Sequence, residues 1–265
     1  MQEINNYKLH IGLLAAMPEE IAITKEHLKR IRKYNYGDLE IYSGIWQRED
    51  PKEEVLVSIA WSGWGKVSAA RAATRLISNK FNERVIDVLF FVGVAGAIDP
   101  RLKQGDIVIS SSLVQHDMDA RPIFDRYIIP ALNEKFLISK KNWLDWTISS
   151  LEESSNKGDL NDFGAIYSGL IATGDEFVSE QTLVSRLKED FKELLCVEME
   201  GASVAQVAIQ ERIPWQILRV ISDNANESSP QDFEQFLNIY KQNSAKIIRA
   251  LIKDIYFSPL FKENK

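Results

Sequence analysis

The sequence has almost no cysteine and no long apolar run. Cys196 is the single cysteine among 265 residues, so the chain can form neither an internal disulfide nor a cysteine-based zinc site. No apolar segment approaches the ~18 residues of a membrane span. The first residues, MQEINNYKLH, lack the apolar core of a signal peptide. We therefore expect a cytoplasmic protein without membrane contact, in which Cys196 is a small buried apolar residue.

An excess of positive charge is also missing. The 32 Lys and Arg residues face 38 Asp and Glu residues, and the formal net charge is -6. No basic stretch of the kind that follows a nucleic-acid backbone is present, so we expect no nucleic-acid partner. The 45% hydrophobic content can fill a substantial core. No flexible, polar segment divides the chain, which predicts one domain over 1–265.

A glycine-rich phosphate loop is absent after the first apolar run. Residues 13–20 read LLAAMPEE, so Pro18, Glu19 and Glu20 stand where many α/β enzymes have bare backbone amides that close on a phosphate. A phosphate would be repelled by Glu20, whereas a water molecule could be deprotonated by it. The alternative is that both glutamates are ordinary acids in the first turn of a helix, where the macrodipole favours negative charge.

Short apolar runs alternate with helical patterns along the chain. Several runs are apolar on both faces, which is typical of strands in a mostly parallel sheet that helices cover on each side. The sequence therefore predicts an α/β fold. The predicted strands are LHIGLLAA (9–16), EVLVSIAW (54–61), VIDVLFFVGVAG (85–96), DIVIS (106–110), AIYSGLIAT (165–173) and WQILRVIS (215–222).

Apolar residues at helical spacing predict helices between these runs. Ile21, Leu28 and Ile31 follow Pro18 at roughly this spacing, and three further helices are predicted over 65–77, 197–210 and 230–255. Residues 131–163 are interpreted as an exposed insertion, because an amphipathic stretch leads into the polar segment SSNKGDLND. We expect a frayed tail near FKENK.

Small residues and acids recur directly after the apolar runs. Ligands bind at the carboxyl ends of parallel strands, so these positions are candidates for a site. Small residues let the backbone approach a ligand, and carboxylates can hold hydroxyls or move protons, which suits a neutral polyhydroxylated ligand. The segments are AMPEE, SGWGK, GVAGAID, TGDEF and SDNAN.

Four polar residues have competing interpretations. Glu198 and Glu200 precede a helix pattern too apolar for a solvated face, so at least one carboxylate is expected in a protected space. Asp223 could equally be a cap or turn residue. His116 opens QHDMDARP, but no HExxH-type spacing supports a metal. We expect His116 in a buried polar network or at a pocket rim.

Together, the motifs resemble the nucleoside phosphorylase and nucleosidase superfamily, and within it the 5'-methylthioadenosine/S-adenosylhomocysteine nucleosidases. The resemblance covers about residues 9–250. It implies a single-domain three-layer sandwich with a central mixed, mostly parallel twisted sheet, hydrolysis of 5'-thio-substituted adenine nucleosides, no metal or organic cofactor, and a homodimer. The motifs, in family order and spacing, are IGLLAAMPEE, SGWGKV, GVAGAID followed by GDIVIS, ATGDEF, CVEMEGASVA and RVISDNAN.

The resemblance implies a role for each matching residue. Glu20 aligns with the glutamate that activates the hydrolytic water, and Asp223 aligns with the aspartate that protonates the departing purine at N7. Glu200 aligns with the carboxylate that holds the ribose 2' and 3' hydroxyls. The other substrate-binding positions are Met199 beside the sugar, Phe177 stacking on the base, Val178 at the purine edge, Ala16, Met17 and Gly96 in the pocket lining, and Arg219 and Ser222 orienting the aspartate.

This chemistry needs two acids in opposite states. Adenine leaves poorly as an anion, so protonation at N7 must accompany cleavage while the sugar develops oxocarbenium character. Asp223 must therefore carry a proton when substrate is bound, and Glu20 must stay ionised to take a proton from water.

Three positions depart from the family pattern. ARPIFDRYIIP replaces an FGY-type aromatic motif that lines the alkylthio site across the dimer interface, and Phe124 or Tyr127 could substitute for it. Val94 stands where these nucleosidases commonly have serine, and Trp64 replaces a smaller aliphatic residue. The 5' substituent therefore stays open. The alternatives are a hydrolase of futalosine-like nucleosides, a phosphate-dependent phosphorylase and a non-catalytic nucleoside sensor.

Overall fold

The apolar runs of the sequence form the inner strands of one large sheet. The computed structural model describes residues 9–46, 54–226 and 229–262. In this part of the chain the strands are β1 (His10–Ala15), β2 (Leu28–Tyr36), β3 (Leu39–Trp46), β4 (Val55–Trp61), β5 (Val88–Ala97), β6 (Ile107–Gln115), β7 (Leu137–Ile138), β8 (Ile166–Thr173), β9 (Leu194–Glu198) and β10 (Trp215–Asp223).

Helices connect the strands and cover both faces of the sheet. They are α1 (Pro18–Ile21), α2 (Lys66–Ser78), α3 (Lys141–Asn156), α4 (Gln181–Asp190), α5 (Gly201–Gln210), α6 (Ser229–Lys253) and α7 (Pro259–Lys262). Short 3₁₀ helices follow α1 and α6. None of the helices in residues 9–46, 54–226 and 229–262 has the length and hydropathy that crossing a bilayer requires.

The sheet branches at β5, which pairs with three strands. β1 and β10 run parallel to it, and the end of β9 pairs with it in the antiparallel direction. From β10 the pairing continues through β6 and β8 back to β9, so these five strands form a closed ring of pairings. On the other side, β1 continues into β4, β3 and β2. All strands belong to one mixed sheet, which confirms the single α/β domain.

The sheet is mixed, as expected, and parallel pairing joins β1 to β4 and β5, β10 to β5, and β8 to β6 and β9. Parallel and antiparallel strand pairings are equally numerous in the described residues. The antiparallel pairs include the hairpin of β2 and β3, which lies where we predicted a helix through Leu28 and Ile31. Leu28 instead opens β2 opposite Trp46, and Ile31 is 45% exposed, so no apolar helical face exists there.

Two apolar clusters lie on opposite faces of the sheet. On one face α2 packs against α5, and Ala69, Ala72 and Ala73 are fully buried. Their small side chains allow α2 and α5 to approach each other closely. On the other face α3 packs against α6, and Phe90 of β5 lies in this second cluster.

The interpretation of 131–163 as an exposed insertion is wrong for α3. Trp143 and Trp146 are buried, and their rings lie 6.2 and 6.1 Å from the ring of Phe90. α3 is therefore part of the helical layer, because its apolar face covers the sheet. The other face of α3 and most residues of 157–162 are exposed.

The register of β5 positions the residues that follow the strands. Gly96 lies opposite Asp223 of β10 on one side and opposite Val197 of β9 on the other. Asp223 and Glu198 therefore flank the end of β5. β1, which runs parallel to β5, delivers α1 and Glu20 to the same edge.

Candidate active site

A cavity with about 570 Å³ of empty volume opens where these strands end. It brings together all but two of the residues predicted from the sequence. Those that line it are Ala16, Met17, Glu20, Gly96, Phe177, Val178, Met199, Glu200, Ser222 and Asp223. Glu20 and Asp223, which come from opposite ends of the chain, thus face one space.

Glu20 is buried and held by three backbone amides. Oε2 accepts hydrogen bonds from the N–H groups of Ala16 (2.9 Å) and Met17 (2.8 Å), and Oε1 accepts one from Val94 (2.9 Å). Glu20 is the third residue of α1, so the bond to Met17 also caps this short helix. All three partners donate, which is the arrangement that an ionised carboxylate requires.

Burial raises the pKa of Glu20, while the charge of Arg219 and the three amides act in the opposite direction. The net direction is upward. A carboxylate whose pKa is raised, but whose partners are all donors, is a stronger base than an exposed glutamate. Glu20 is therefore equipped to accept a proton from a water molecule in the cavity.

Gly93 leaves the space that Glu20 occupies. A Cβ at this position would lie 2.6 Å from Glu20 Oε1 and 3.3 Å from an Arg219 nitrogen. Gly93 was not predicted as a site residue, although an isolated glycine inside an apolar strand indicates a close approach of another group.

Arg219 forms a buried ion pair with Glu198 instead of orienting Asp223. Its guanidinium donates to Glu198 Oε2 at 2.6 Å and to the backbone oxygen of Leu218 at 3.0 Å, and it lies 4.1 Å from the ring centre of Phe91. Our expectation for Arg219 was wrong because Glu198 is its charge partner. A guanidinium that is 1% exposed needs such a partner.

Glu198 is the carboxylate that organises the start of α5. Its Oε2 also accepts the N–H groups of Glu200 (3.0 Å) and Gly201 (2.7 Å), and Thr173 donates to its Oε1. With Arg219, these donors occupy both oxygens. Glu198 lines the cavity but is committed to the protein, which leaves Glu200 as the carboxylate available to a ligand.

Glu200 has few partners for its burial. Its Oε1 accepts the N–H of Gly65 at 2.8 Å. Burial and the nearby Glu198 raise the pKa of Glu200 to about 8, while Arg219 acts in the opposite direction. With one donor among the residues that the structure describes, this buried carboxyl has unused hydrogen-bonding capacity, which two adjacent hydroxyl groups of a ligand could satisfy.

Asp223 ends β10 beside a register shift that follows Ile221. Ser222 Oγ donates to its Oδ2 at 2.7 Å, and the N–H of Ala225 donates to its Oδ1 at 2.9 Å. A Cβ on Gly96 would lie 3.0 Å from this Oδ1. Ser222 thus contacts Asp223 directly, whereas its effect on catalysis stays a prediction.

Three aromatic side chains border the cavity. The ring of Phe233, from α6, lies edge-on to Phe177 at 6.1 Å and to Trp64 at 6.2 Å. Phe177 and Trp64 are 38% and 54% exposed, so the protein covers neither ring completely. The sequence analysis missed Phe233, which appears there only as an apolar residue of the last helix.

Phe124 does not line the cavity of the single chain. It lies on the loop after β6, and its N–H bonds to the backbone oxygen of Ala120 at 3.2 Å. The expectation placed Phe124 across a dimer interface, so its role stays a prediction. Tyr127 is a poor substitute, because it is buried against Phe191 and its hydroxyl donates to Asp190.

Among the described residues, no group of three or more His, Cys, Asp or Glu side chains is placed to hold a metal ion. His116 is buried beside Gly174, and burial lowers its pKa. Cys196 is a free, buried thiol in β9. The carboxylates of Glu20, Glu200 and Asp223 lie on the cavity.

Residues 10–253 match the model of the phosphorylase superfamily. The chain belongs to this superfamily. It is 34% identical over 247 residues to a 5'-methylthioadenosine/S-adenosylhomocysteine nucleosidase of Marinomonas sp. (strain MWYL1), covering 92% of this chain and 98% of the relative. The sequence resemblance to these nucleosidases is thus confirmed.

Solved structures show the same relationship. The nucleosidase of Neisseria meningitidis in complex with methylthio-immucillin-A matches with a TM-score of 0.80 and 28% identity, covering 92% of this chain and 99% of that chain. The futalosine hydrolase of Helicobacter pylori strain 26695 matches with a TM-score of 0.78 and 30% identity, covering 93% of this chain and 98% of that chain. The fold therefore accommodates two kinds of nucleoside hydrolase.

Proposed function

We infer that this chain is an N-glycosyl hydrolase that cleaves 5'-thio-substituted adenine nucleosides, such as 5'-methylthioadenosine and S-adenosylhomocysteine, and releases adenine. The observation that carries this inference is the placement of Glu20 and Asp223 in one cavity, within a chain similar to nucleosidases over nearly its whole length. Two acids on one cavity can divide proton donation and proton removal between them.

In this proposal Asp223 gives a proton to N7 of the adenine as the glycosidic bond breaks. Ser222 and the N–H of Ala225 fix its side chain. The sugar then carries positive charge at its anomeric carbon, and a water molecule attacks it as Glu20 takes the proton of that water. Glu20 is fixed by three amides, so it needs no rearrangement to act as the base.

Glu200 would accept hydrogen bonds from the ribose 2' and 3' hydroxyls, with Met199 beside the sugar. Phe177 would stack on the base, and the backbone of Val178 would bond its edge. Support comes from the position of all four on the cavity and from the partial exposure of Phe177.

A phosphorylase is disfavoured by the charge of the site. Glu20 borders the space with three donors that suit its ionised form, and a phosphate dianion would be repelled by that carboxylate. A hydrolase of futalosine-like nucleosides is the competing proposal, because the fold matches such an enzyme and the loop after β6 departs from the family pattern.

We further propose that the enzyme is a cytoplasmic homodimer that contacts neither membrane nor nucleic acid. The loop with Phe124 also carries Ile123, which is 83% exposed, so this loop presents apolar surface that a second copy could cover. Light scattering of the purified protein measures the oligomeric state directly, and a monomer at micromolar concentration would contradict the dimer.

The purified protein should release adenine from 5'-methylthioadenosine and from S-adenosylhomocysteine at rates that do not change when phosphate is added. Adenosine, inosine and futalosine serve as comparison substrates, and chromatography identifies the free base. A strict phosphate requirement would establish a phosphorylase, and faster cleavage of futalosine would favour the competing hydrolase.

A further inference from the structure

Three loops meet beside the cavity in a cluster of one cation and two carboxylates. Lys66 begins α2, Asp117 follows β6, and Asp175 follows β8. The ammonium of Lys66 lies 2.6 Å from Asp117 Oδ1 and 3.9 Å from Asp175 Oδ2. The roles assigned above to the cavity residues use none of these three side chains.

Backbone amides join the same loops. The N–H of Lys66 donates to Asp175 Oδ1 at 2.7 Å, and the N–H of Asp175 donates to Asp117 Oδ2 at 2.9 Å. The neighbouring N–H, that of Gly65, donates to Glu200 at 2.8 Å. Two consecutive amides therefore connect the loop of Asp175 to the buried carboxylate of Glu200.

The turn at Gly65 fits tightly between these partners. Gly65 has a φ of +90°, and a Cβ would lie 3.0 Å from Asp175 Oδ1. A side chain here would strain the backbone and press on Asp175. The distance between Asp175 and Glu200 is thus set by a turn that has little freedom.

The other side of the loop rests on His116. A Cβ on Gly174 would overlap the imidazole of His116, which is 1% exposed. Burial lowers the pKa of His116; the charges of Asp117 and Glu176 raise it, and those of Lys66 and Arg186 lower it further. The ring of His116 fills the space beside Gly174, while Asp117, which pairs with Lys66, accepts the N–H of Asp175.

Partial burial acts to raise the pKa of Asp117, but the hydrogen bonds from Lys66 and from the backbone of Asp175 outweigh it and leave the pKa lowered. The carboxylate is therefore charged at neutral pH, when the cluster must hold. The loop that it holds, 174–178, carries Phe177 and Val178 on the cavity wall.

We propose that Lys66 and Asp117 are positioning residues, which fix the loop 174–178 relative to Glu200 so that the base and the ribose of a nucleoside are held at once. The proposal rests on the proposed function for the identity of the ligand. Without the cluster, only a fraction of molecules would have the loop in place, and the apparent affinity would fall by that fraction.

Lys66→Met removes the ammonium and keeps most of the stem. We expect KM for 5'-methylthioadenosine to rise about fivefold, the upper range for a partly exposed ion pair, with kcat nearly unchanged. The lost interaction stabilises the bound substrate and the transition state equally, so KM rises and kcat does not change. Asp117→Asn should raise KM by a similar factor. The double variant with Lys66→Met and Asp117→Asn should have a KM little higher than that of either single variant. Lys66→Arg, which keeps the positive charge, should have a KM close to that of the wild type.

The matched control is Lys141→Met, which breaks an ion pair of 2.7 Å on α3, away from the cavity. Hydrogen exchange gives a second readout that needs no activity. The amides of 174–178 should exchange faster in Lys66→Met at an unchanged melting temperature, and those in Lys141→Met should not.

Unchanged KM and unchanged exchange in Lys66→Met would overturn the positioning role, as would an equal loss in the Lys141→Met control. An equal fall of kcat in Lys66→Met, with KM constant, would also overturn it. If the wild-type protein cleaves no nucleoside, the proposed function fails, whereas faster exchange in Lys66→Met would still uphold the positioning role.

Discussion

Glu20, Glu198 and Glu200 are three buried carboxylates around one guanidinium, that of Arg219. Glu198 accepts hydrogen bonds from the guanidinium, from both amides at the start of α5 and from the hydroxyl of Thr173. Glu20 takes three amides, and Glu200 takes one. The number of donors differs at each carboxyl, which is how neighbouring acids acquire different tasks.

Gly93→Ala tests how closely Glu20 must be held. The new methyl group would meet Oε1 of a side chain that three amides fix, so the carboxylate must move. We expect kcat to fall by about 100-fold, the usual size of a misplaced catalytic group, with the protein still folded. Steady-state kinetics and a melting curve measure both. Wild-type kcat in this variant would show that the position of Glu20 is not critical.

Glu200→Gln tests how much stability the protein loses by keeping a buried carboxyl that a ligand can use. Its pKa is raised from 4.5 to about 8, so the folded state binds the proton more tightly than the unfolded state. This group therefore removes stability as pH rises from about 4.5 to about 8. A neutral glutamine removes that loss.

The melting temperature of Glu200→Gln should exceed that of the wild type by about 2–4 °C at pH 8, and by less at pH 5.5, where the wild-type carboxyl is already protonated. Glu211→Gln, at the exposed other end of α5, should keep the wild-type dependence on pH. A Glu200→Gln variant that is less stable at pH 8 would contradict the raised pKa.

At the level of elements, α3 contributes more to the core than its surroundings in the sequence indicate. Its tryptophans pack with Phe90 beneath the sheet. The amphipathic pattern indicates an apolar face, but the polar segment after it led us to expect exposure. Periodicity identifies the apolar face of a helix, whereas the partner of that face is decided by tertiary packing.

Trp143→Ala should lower the free energy of unfolding by about 3 kcal/mol, because truncation of a buried aromatic leaves a cavity. Chemical denaturation measures the change. Trp64→Ala, the same substitution at an exposed site, should lower it by less than about 1 kcal/mol. Equal effects in the two variants would mean that α3 is not part of the core.

The sequence contains a turn signal for the hairpin of β2 and β3, but the helical spacing of the apolar residues led us to predict a helix there. Gly37 and Asp38 alone separate the two strands, and a two-residue Gly-Asp connection between strand patterns is typical of a hairpin. Gly37 has a φ of +69°, as such a turn requires. Ile21, Leu28 and Ile31 fit a helix by spacing, but the charged residues around Ile31 fit an exposed strand better.

For the whole molecule, the sequence predicted the inner strands and the residues at their ends. The signals for these residues are local in the sequence, because the small or acidic residues directly follow the apolar run that predicts each strand. The pair of Arg219 and Glu198 and the clearance at Gly93 were not predictable in this way. They depend on which strands become neighbours and in what register, and the branching of the sheet at β5 decides both.

The same branching explains why residues from both ends of the chain share one cavity. β1 and β10 both run parallel to β5, so Glu20 and Asp223 arrive at one edge. The proposed reaction requires that these two acids act together. A protein that only binds a nucleoside, or that has a structural role, does not need both acids in one cavity.

The most direct test is the rate of adenine release from 5'-methylthioadenosine by Glu20→Gln and by Glu19→Gln. The two glutamates are adjacent, but Glu19 is exposed and Glu20 is buried on the cavity. We expect Glu20→Gln, like Asp223→Asn, to lose at least about 100-fold in kcat, since each removes a proton-transfer group, while Glu19→Gln keeps the wild-type rate. Full turnover by folded Glu20→Gln or Asp223→Asn would contradict the account.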